Sequence, residues 1–441
     1  MLKNHPVLKG TFILTLTGML TRFIGFFYRV FLSQQFGEEG VGLYQLIFPV
    51  YALCFSFAVA GVEIALSRNV AAKISVGKTK EAKELLKVAM TLSFALSCLV
   101  MILVQTNAGF IAERMLGDLR CESLLVAMSY AFPFSAVHSC ICGYYLGHQE
   151  TGVSAISQLI EQLARVLFVY IIVIMAAQKS MNASISVAVL GLVSGEIFSS
   201  LYCIYALKHS KQHVSRVKTT LSDLARRLKE IVPLAVPLTA NRVLLNILQS
   251  VEAVSIPRFL QLYGLSNSEA LSIYGVLTGM ALPCILFPSA ITNSISTMML
   301  PTVAQMQASD QSKKMRSLIG KVAWYCFLLG LLCMGAFLLF GNFIGSVLFG
   351  SESAGQFIIT LAWICPFLYM NTTLISMLNG LGKTHVSFTI NSVGLLLRMA
   401  SVFFLIPLIG IRGYLLGLLG SQLLVTVLSA WQLVKYMKEN N

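Results

Sequence analysis

The chain has 441 residues, of which 56% are hydrophobic and only 11% are charged, and its formal net charge is +14. This composition excludes a soluble globular protein, whose surface needs far more polar groups, and indicates an integral membrane protein. The apolar stretches run continuously for about twenty residues, which is typical of transmembrane helices rather than of barrel strands.

The first apolar stretch, from Thr11 to Leu32, carries two arginines, Arg22 and Arg29. Seven positions separate them, so on an α-helix they lie within about 20° of each other and form one cationic stripe. Because a charge inside hydrocarbon is costly, such residues usually face a polar cavity or a partner. The run has no cleavage-site pattern and is longer than the apolar core of a signal peptide, so we interpret it as a membrane helix.

Apolar runs and the charged or glycine-rich breaks between them predict twelve transmembrane helices. The predicted spans are 10–33, 41–67, 84–107, 121–147, 152–177, 183–207, 231–257, 269–300, 317–341, 354–380, 385–406 and 412–436. Lysine and arginine concentrate in alternate loops, at 68–87, 208–229 and 313–321, which predicts that these loops and both termini are cytoplasmic. The positive charge is thus explained by topology and anionic lipid, and no nucleic-acid partner is expected.

The sequence contains an internal repeat. Residues 132–170 align without a gap with residues 365–403, and the alignment pairs Pro133 with Pro366, Gly147 with Gly380 and Arg165 with Arg398. Repeated lobes with an even number of spans share one orientation in the membrane. We therefore predict an all-α polytopic membrane protein with two homologous six-helix bundles: an N-terminal lobe at 1–207, a cytoplasmic basic linker at 208–230 and a C-terminal lobe at 231–441.

Motifs for catalysis or metal binding are not found in the sequence. Nearly all of the ten cysteines fall inside apolar runs, and the Cys140-x-Cys142 pair has no His or Cys partner at the spacing of zinc sites. A phosphate-binding loop and a nucleophile elbow are also missing. We expect no enzymatic activity, no metal and no cofactor, so transport would be driven by a Na+ or H+ gradient or by the membrane potential.

Polar residues inside the predicted spans are the candidate functional groups. Candidates for cavity arginines that bind an anion are Arg22, Arg29, Arg242, Arg165 and Arg398; candidates for a gate or ion-coupling role are Glu63 and Glu252; candidates for polar cavity lining are Gln158, Asn246, Gln249 and Asn391.

Several of these residues have a purely structural alternative. Glu161 and Arg165 lie at positions i and i+4, so they could simply neutralise each other. Arg29 could instead extend to the membrane interface. Glu196 is expected to make an interhelical hydrogen bond, and His138 is expected to be a core residue.

The stretch "GMLTRFIGFFYRVFLSQQFGEEGVGLYQLIFPVYALCFSFAVAGVEIALSRNVA" and the segment "NILQSVEAVSIPRFL" resemble the stage V sporulation protein B branch of the lipid II flippase and oligosaccharide exporter superfamily. The resemblance covers essentially the whole chain. It implies a V-shaped pair of six-helix bundles with a central cavity that carries undecaprenyl-diphosphate-linked sugars, such as a peptidoglycan precursor, from the inner to the outer leaflet. By motif position, it implies that Arg22, and with it Arg29, holds the diphosphate.

Three functions follow as hypotheses. The first is a flippase working by alternating access, whose partners are the lipid-linked oligosaccharide, membrane lipids and enzymes of cell-wall synthesis, and which acts as a monomer in the bacterial cytoplasmic membrane. The second is a cation-coupled multidrug and toxin extrusion antiporter, although this needs a cavity rich in carboxylates. The third is a scaffold for cell-wall enzymes without transport.

Overall fold

The computed structural model describes residues 6–181, 183–209, 221–308 and 312–439. Within these residues every element is helical and no strand occurs. The chain divides into two compact units. Unit 1 comprises Met1–Tyr28 and Leu43–Val254, and unit 2 comprises Arg29–Gly42 and Ser255–Asn441. The division differs from the predicted lobes, since 231–254 belongs to unit 1 and 29–42 to unit 2.

The helices in the first half of the chain are, in order, α1 (Pro6–Leu46), α2 (Phe48–Phe55), α3 (Gly61–Ser75), α4 (Thr79–Thr106), α5 (Ala108–Phe110), α6 (Cys121–Ser129), α7 (Ala131–Gly147), α8 (Gly152–Gln178), α9 (Ser186–His209) and α10 (Leu221–Leu262). π-Helical turns at Ser56–Ala60 and Ile111–Leu116 follow α2 and α5. Helix α1 is bent at Gly37, whose φ of 67° places it in the left-handed region that glycine tolerates.

The helices in the second half are α11 (Asn267–Gly275), α12 (Leu282–Leu286), α13 (Ser289–Ala308), α14 (Ser312–Phe343), α15 (Glu352–Ala362), α16 (Cys365–Gly380), α17 (Thr384–Ala400), α18 (Ile406–Ile409) and α19 (Ile411–Glu439). π-Helical turns occupy Val276–Ala281, Ile344–Leu348 and Ser401–Leu405. The start of α11 is held by a capping box, in which Ser266 and Glu269 each bond the other's backbone N–H.

The protein is a multi-pass membrane protein. In the described ranges nine helical segments are long and apolar enough to cross a membrane, and two bent helix pairs raise the number to eleven. One of the nine, Ile13–Ser75, has 63 residues and covers the predicted span 41–67 and all but the first three residues of the predicted span 10–33. A single crossing takes about 20 residues, so this segment is long enough for two.

Each bent pair arises where a proline follows a short break. The pair α6 and α7 bends by 40° at Tyr130, and the pair α15 and α16 bends by 57°. Pro133 and Pro366 lie in the first turn after these breaks, where a missing N–H is tolerated but the preceding helix cannot continue regularly. The predicted spans 121–147 and 354–380 therefore have the correct extent, but each consists of two helices.

Packing inside the two units confirms the internal repeat. In unit 1, α7 packs on α3, α4 and α9, and α8 packs on α9. In unit 2, α16 packs on α13, α14 and α19, and α17 packs on α19. The paired glycines that end α7 and α16 also serve the same purpose: a Cβ on Gly147 would approach the carbonyl oxygen of Ser67, and one on Gly380 would approach that of Leu300.

The predicted linker is only partly a linker. Residues 210–220 lie outside the described residues, but Leu221–Glu230 form the first turns of α10. An ion-pair network fixes these turns to unit 1. Arg227, 2% exposed, binds Glu84 through Nε at 3.1 Å and binds Glu81 and Glu230 through Nη1 at 3.0 and 2.6 Å. The pairs with Glu81 and Glu84 reach across to α4 and stabilise this start of the helix.

Unit 2 contains a point of very close helix contact. A Cβ on Gly275 of α11 would clash with the carbonyl oxygen of Glu38 and would lie 2.8 Å from Gly42 Cα. Gly275→Ala should therefore lower the free energy of unfolding by about 1–3 kcal/mol, the usual cost of overpacking. Thermal unfolding in detergent measures the change.

Gly320→Ala in α14 is the matched control for Gly275→Ala, because nothing lies within 4 Å of the added methyl group. Alanine favours the helix by up to about 1 kcal/mol over glycine, so this variant should be neutral or slightly more stable. Equal melting temperatures for Gly275→Ala and the wild type would contradict the close contact.

Candidate functional site

A buried polar network connects four helices of unit 1. His138 on α7 places Nδ1 3.3 Å from Glu196 Oε2 on α9 and Nε2 3.1 Å from Ser157 Oγ on α8. The hydroxyl of Tyr51, on α2, donates to Glu196 Oε1 at 3.0 Å. These bonds confirm the predicted interhelical role of Glu196. They also satisfy a carboxylate that would otherwise be costly to bury.

Glycines bring the helices close enough for this network. A Cβ on Gly195 would lie 2.8 Å from the carbonyl oxygen of Glu161, so α8 and α9 touch through their backbones there. In the same way, a Cβ on Gly143 of α7 would lie 2.9 Å from the carbonyl oxygen of Glu63. Small residues at helix contacts are the usual device for close packing in membranes. Glu63 and Glu161 are thereby placed beside α7 and α9.

Arg165 and Glu161 form an ion pair on α8, with Nη2 donating to Oε1 at 2.5 Å. The side chains are 17% and 22% exposed, so water screens the pair only partly. This geometry corresponds to the structural alternative, in which the two residues neutralise each other. Arg165 was also a candidate for anion binding, and in the structure its charge is already balanced.

Glu161→Ala should lower the free energy of unfolding by about 2–3 kcal/mol, because it leaves the Arg165 guanidinium largely buried without its counter-charge. The double variant Glu161→Leu/Arg165→Met should recover most of the loss, since it removes both charges. Melting temperatures of the wild type, the single variant and the double variant test this. A double variant less stable than Glu161→Ala would contradict a pair that acts mainly by mutual neutralisation.

Arg22 and Arg242 differ from the other intramembrane arginines of unit 1. Both side chains are exposed. Neither forms an ion pair within the described residues, whereas Arg165 does. An exposed guanidinium in an apolar span is tolerated only where it meets water or a polar ligand. Arg29, in unit 2, is also exposed and lies on the same helix α1 before its bend.

The remaining unit 1 candidates take different positions. Glu63 is partly buried on α3. Asn246 donates to Ser56 Oγ at 2.5 Å, so it holds α10 against the π-helical turn after α2. Three candidates remain: Gln158 and Gln249 are exposed, and Glu252 is 5% exposed.

In unit 2 the corresponding positions carry less charge. Asn391 is exposed, and Arg398 is partly buried on α17. The repeat aligns Glu161 with Gly394, so Arg398 has no carboxylate at the corresponding position of its own helix. The repeat aligns His138 with Asn371, which donates to Gln422 Oε1 at 2.7 Å and accepts from Thr426. Corresponding pairs of helices are thus joined in the two units: ionisable side chains join α7 to α9 in unit 1, and neutral side chains join α16 to α19 in unit 2.

The residues that surround His138 are not predicted by the sequence pattern. Ser157, Glu196 and Cys203 are distant from it in the chain, and only the packing of α7, α8 and α9 brings them together. The one local signal was the spacing of His138 and Cys142, four residues apart and therefore on one face of a helix.

Comparison with known proteins agrees with this architecture. The family model described as polysaccharide biosynthesis protein matches residues 7–307, and the model described as MatE matches residues 259–404. Stage V sporulation protein B of Bacillus subtilis (strain 168) is 28% identical over 431 residues, covering 97% of this chain and 83% of that protein.

Two solved structures share the fold. The lipid II flippase MurJ in an inward closed conformation has a TM-score of 0.72 at 12% identity and covers 97% of this chain and 90% of that one. An inward-facing multidrug resistance MATE family transporter of the MOP superfamily has a TM-score of 0.69 at 16% identity, with 96% of each chain covered. The chain belongs to the polysaccharide biosynthesis protein family and is similar to stage V sporulation protein B.

Proposed function

We propose that this transporter is a flippase for an undecaprenyl-diphosphate-linked sugar, such as a peptidoglycan precursor, which it moves from the inner to the outer leaflet of the bacterial cytoplasmic membrane by alternating access. Arg22 and Arg242 bind the diphosphate. Arg29, seven residues after Arg22 on the same helix, also contributes to this binding. The observation that carries the proposal is that Arg22 and Arg242 are exposed in apolar spans without ion pairs in the described part of the chain.

The chemistry of arginine suits this ligand. A guanidinium presents parallel N–H donors that match two phosphate oxygens, and charge-assisted bonds of this kind are about twice as strong as neutral ones. A diphosphate offers several such oxygens, while the polyprenyl tail stays in lipid. The related proteins add support, since one is named lipid II flippase and another stage V sporulation protein B.

The distribution of carboxylates disfavours an organic cation as the substrate. Glu161 is neutralised by Arg165, and the carboxylate of Glu196 is hydrogen-bonded to Tyr51 and His138. Glu63, a partly buried carboxylate of the same unit as Arg242, is the first candidate for a gate. Glu252 is the second candidate for a gate or for coupling to a Na+ or H+ gradient.

Ligand-induced stabilisation of the purified protein tests substrate class. A ligand at 100 times its dissociation constant stabilises a protein by about 2.7 kcal/mol. We expect undecaprenyl diphosphate to raise the melting temperature, and undecaprenol to leave it unchanged because it lacks the anion. A rise with undecaprenol of the same size would show that the tail alone binds, which contradicts the role of the arginines.

A second candidate function is that of a cation-coupled multidrug antiporter. The match of residues 259–404 to the MatE model favours it. In that case a lipophilic cation such as tetraphenylphosphonium should raise the melting temperature, and undecaprenyl diphosphate should not. The same titration therefore separates the two functions.

Membrane lipids and enzymes of cell-wall synthesis are the partners that this proposal implies, with both termini cytoplasmic and the chain acting as a monomer. The proposal includes no cofactor and no catalytic step. A scaffold without transport would retain its cellular role when Arg22 is replaced, whereas a flippase would lose it.

A further inference from the structure

We propose that unit 1 contains a structural zinc site formed by His138, Cys142 and Cys203. Sequence spacing gave no reason to expect it, because Cys203 lies on a different helix from the other two. In the structure the ligand atoms of these residues lie within 4.8 Å of one another, and all three side chains are buried. The site is independent of the transport substrate.

The distances suit a tetrahedral centre. Two thiolates bound to zinc at 2.3 Å lie about 3.8 Å apart, and Cys142 Sγ and Cys203 Sγ are separated by 3.9 Å. Ser157 Oγ lies 3.3 Å from Cys142 Sγ and 3.1 Å from His138 Nε2, so its hydroxyl adjoins both of these ligand atoms. The two sulfurs therefore already have the separation that a tetrahedral zinc ion requires.

The surroundings of His138 are those of a metal ligand. Its Nδ1 lies 3.3 Å from Glu196 Oε2, and Tyr51 donates to the other oxygen of that carboxylate. A carboxylate that binds the far nitrogen fixes the tautomer and orientation of a zinc-bound imidazole and raises its basicity. Ser199 Oγ also lies 3.3 Å from Nδ1, while Nε2 faces Ser157 Oγ, which in turn lies beside Cys142 Sγ.

Charge favours this ligand set over the other one in the network. Zinc with two thiolates and a neutral imidazole has no net charge, which suits the interior of a membrane. Binding forms two Zn–S bonds, breaks two S–H bonds and releases two protons to solvent. The alternative set of His138, Glu161 and Glu196 has one carboxylate already paired with Arg165 and the other bonded by Tyr51.

The repeat indicates that packing alone does not require this cluster. The positions in unit 2 that align with Cys142 and Ser157 are Ile375 and Ile390, and His138 aligns with Asn371. The same helix contacts are therefore made in unit 2 by apolar and amide side chains. Zinc would join α7 and α9 in unit 1 and stiffen that bundle only.

Metal content of the purified protein tests the site. We expect about one zinc per chain in the wild type, loss of that zinc in Cys142→Ser and Cys203→Ser, and its retention in Cys140→Ser, a buried cysteine of the same helix that is not in the cluster. Cobalt exchanged into the wild type should give a thiolate-to-cobalt charge-transfer band, and this band should be absent from Cys142→Ser.

Two results would overturn the proposal. The first is a wild-type protein that contains no zinc as purified and takes up none from a zinc buffer. The second is a Cys142–Cys203 disulfide in the mass spectrum of the purified wild type, since oxidised sulfur does not bind zinc in this way. Both measurements use the wild type, so they decide the question even where a variant does not fold.

Discussion

Replacing Arg22 or Arg242 with alanine is expected to weaken the binding of undecaprenyl diphosphate by about 10- to 100-fold. Hydrogen bonds to a charged group contribute about 1.5–3 kcal/mol, and each 1.4 kcal/mol changes an equilibrium constant tenfold. Both side chains are exposed and form no ion pair within the described residues, so their removal should leave the fold intact. Equilibrium binding to the purified variants in detergent measures the effect.

Lysine and a second arginine supply the controls for these variants. Arg22→Lys keeps the charge but loses the fork of N–H donors, so its affinity should fall between those of the wild type and Arg22→Ala. Arg68 is an exposed arginine of α3, outside the predicted span 41–67, and Arg68→Ala should bind like the wild type. If Arg68→Ala and Arg22→Ala were weakened equally, the arginines would act only through net charge.

Arg227→Ala is expected to produce the largest loss of stability, about 3–5 kcal/mol, because it removes the shared partner of three carboxylates. Glu84 is itself 5% exposed and would be left buried without its guanidinium. Glu81 and Glu230 would retain Lys73, at 2.8 and 3.1 Å, and would be affected less. Thermal unfolding in detergent measures the change.

Arg226→Ala provides the comparison at the neighbouring position of α10. Arg226 is exposed, and exposed charges usually contribute less than about 1 kcal/mol. Similar melting temperatures for Arg227→Ala and Arg226→Ala would show that the network does not hold the start of α10. High salt should lower the stability of the wild type only slightly, since buried pairs are poorly screened.

The sequence alone predicted those features that depend on local pattern. Apolar runs located the spans. The gapless repeat predicted that α7 in unit 1 and α16 in unit 2 would have equivalent neighbours. The Glu161–Arg165 pair was within reach for the same reason, since positions i and i+4 meet on any helix. The bends near Pro133 and Pro366 were not predicted, although each proline marks the break beside it.

Contacts between residues that are distant in the chain could not be predicted from local sequence patterns. Polar composition predicted a linker at 208–230, whereas ion pairs from the buried Arg227 to Glu81 and Glu84 on α4 hold the start of α10. Cys142 looked like an ordinary core thiol until the packing of α7 against α9 brought Cys203 to it. The composition of a helix face does not say which neighbour it will meet.

The most direct test of the central claim is transbilayer movement itself. The protein is reconstituted in liposomes that carry a fluorescent undecaprenyl-diphosphate sugar, and the amount exposed in each leaflet is followed with time. We predict that the wild type and Arg68→Ala move the lipid, whereas Arg22→Ala and Arg242→Ala do not. Movement at the wild-type rate by both folded arginine variants, or a wild type that moves only a lipophilic cation, would contradict it.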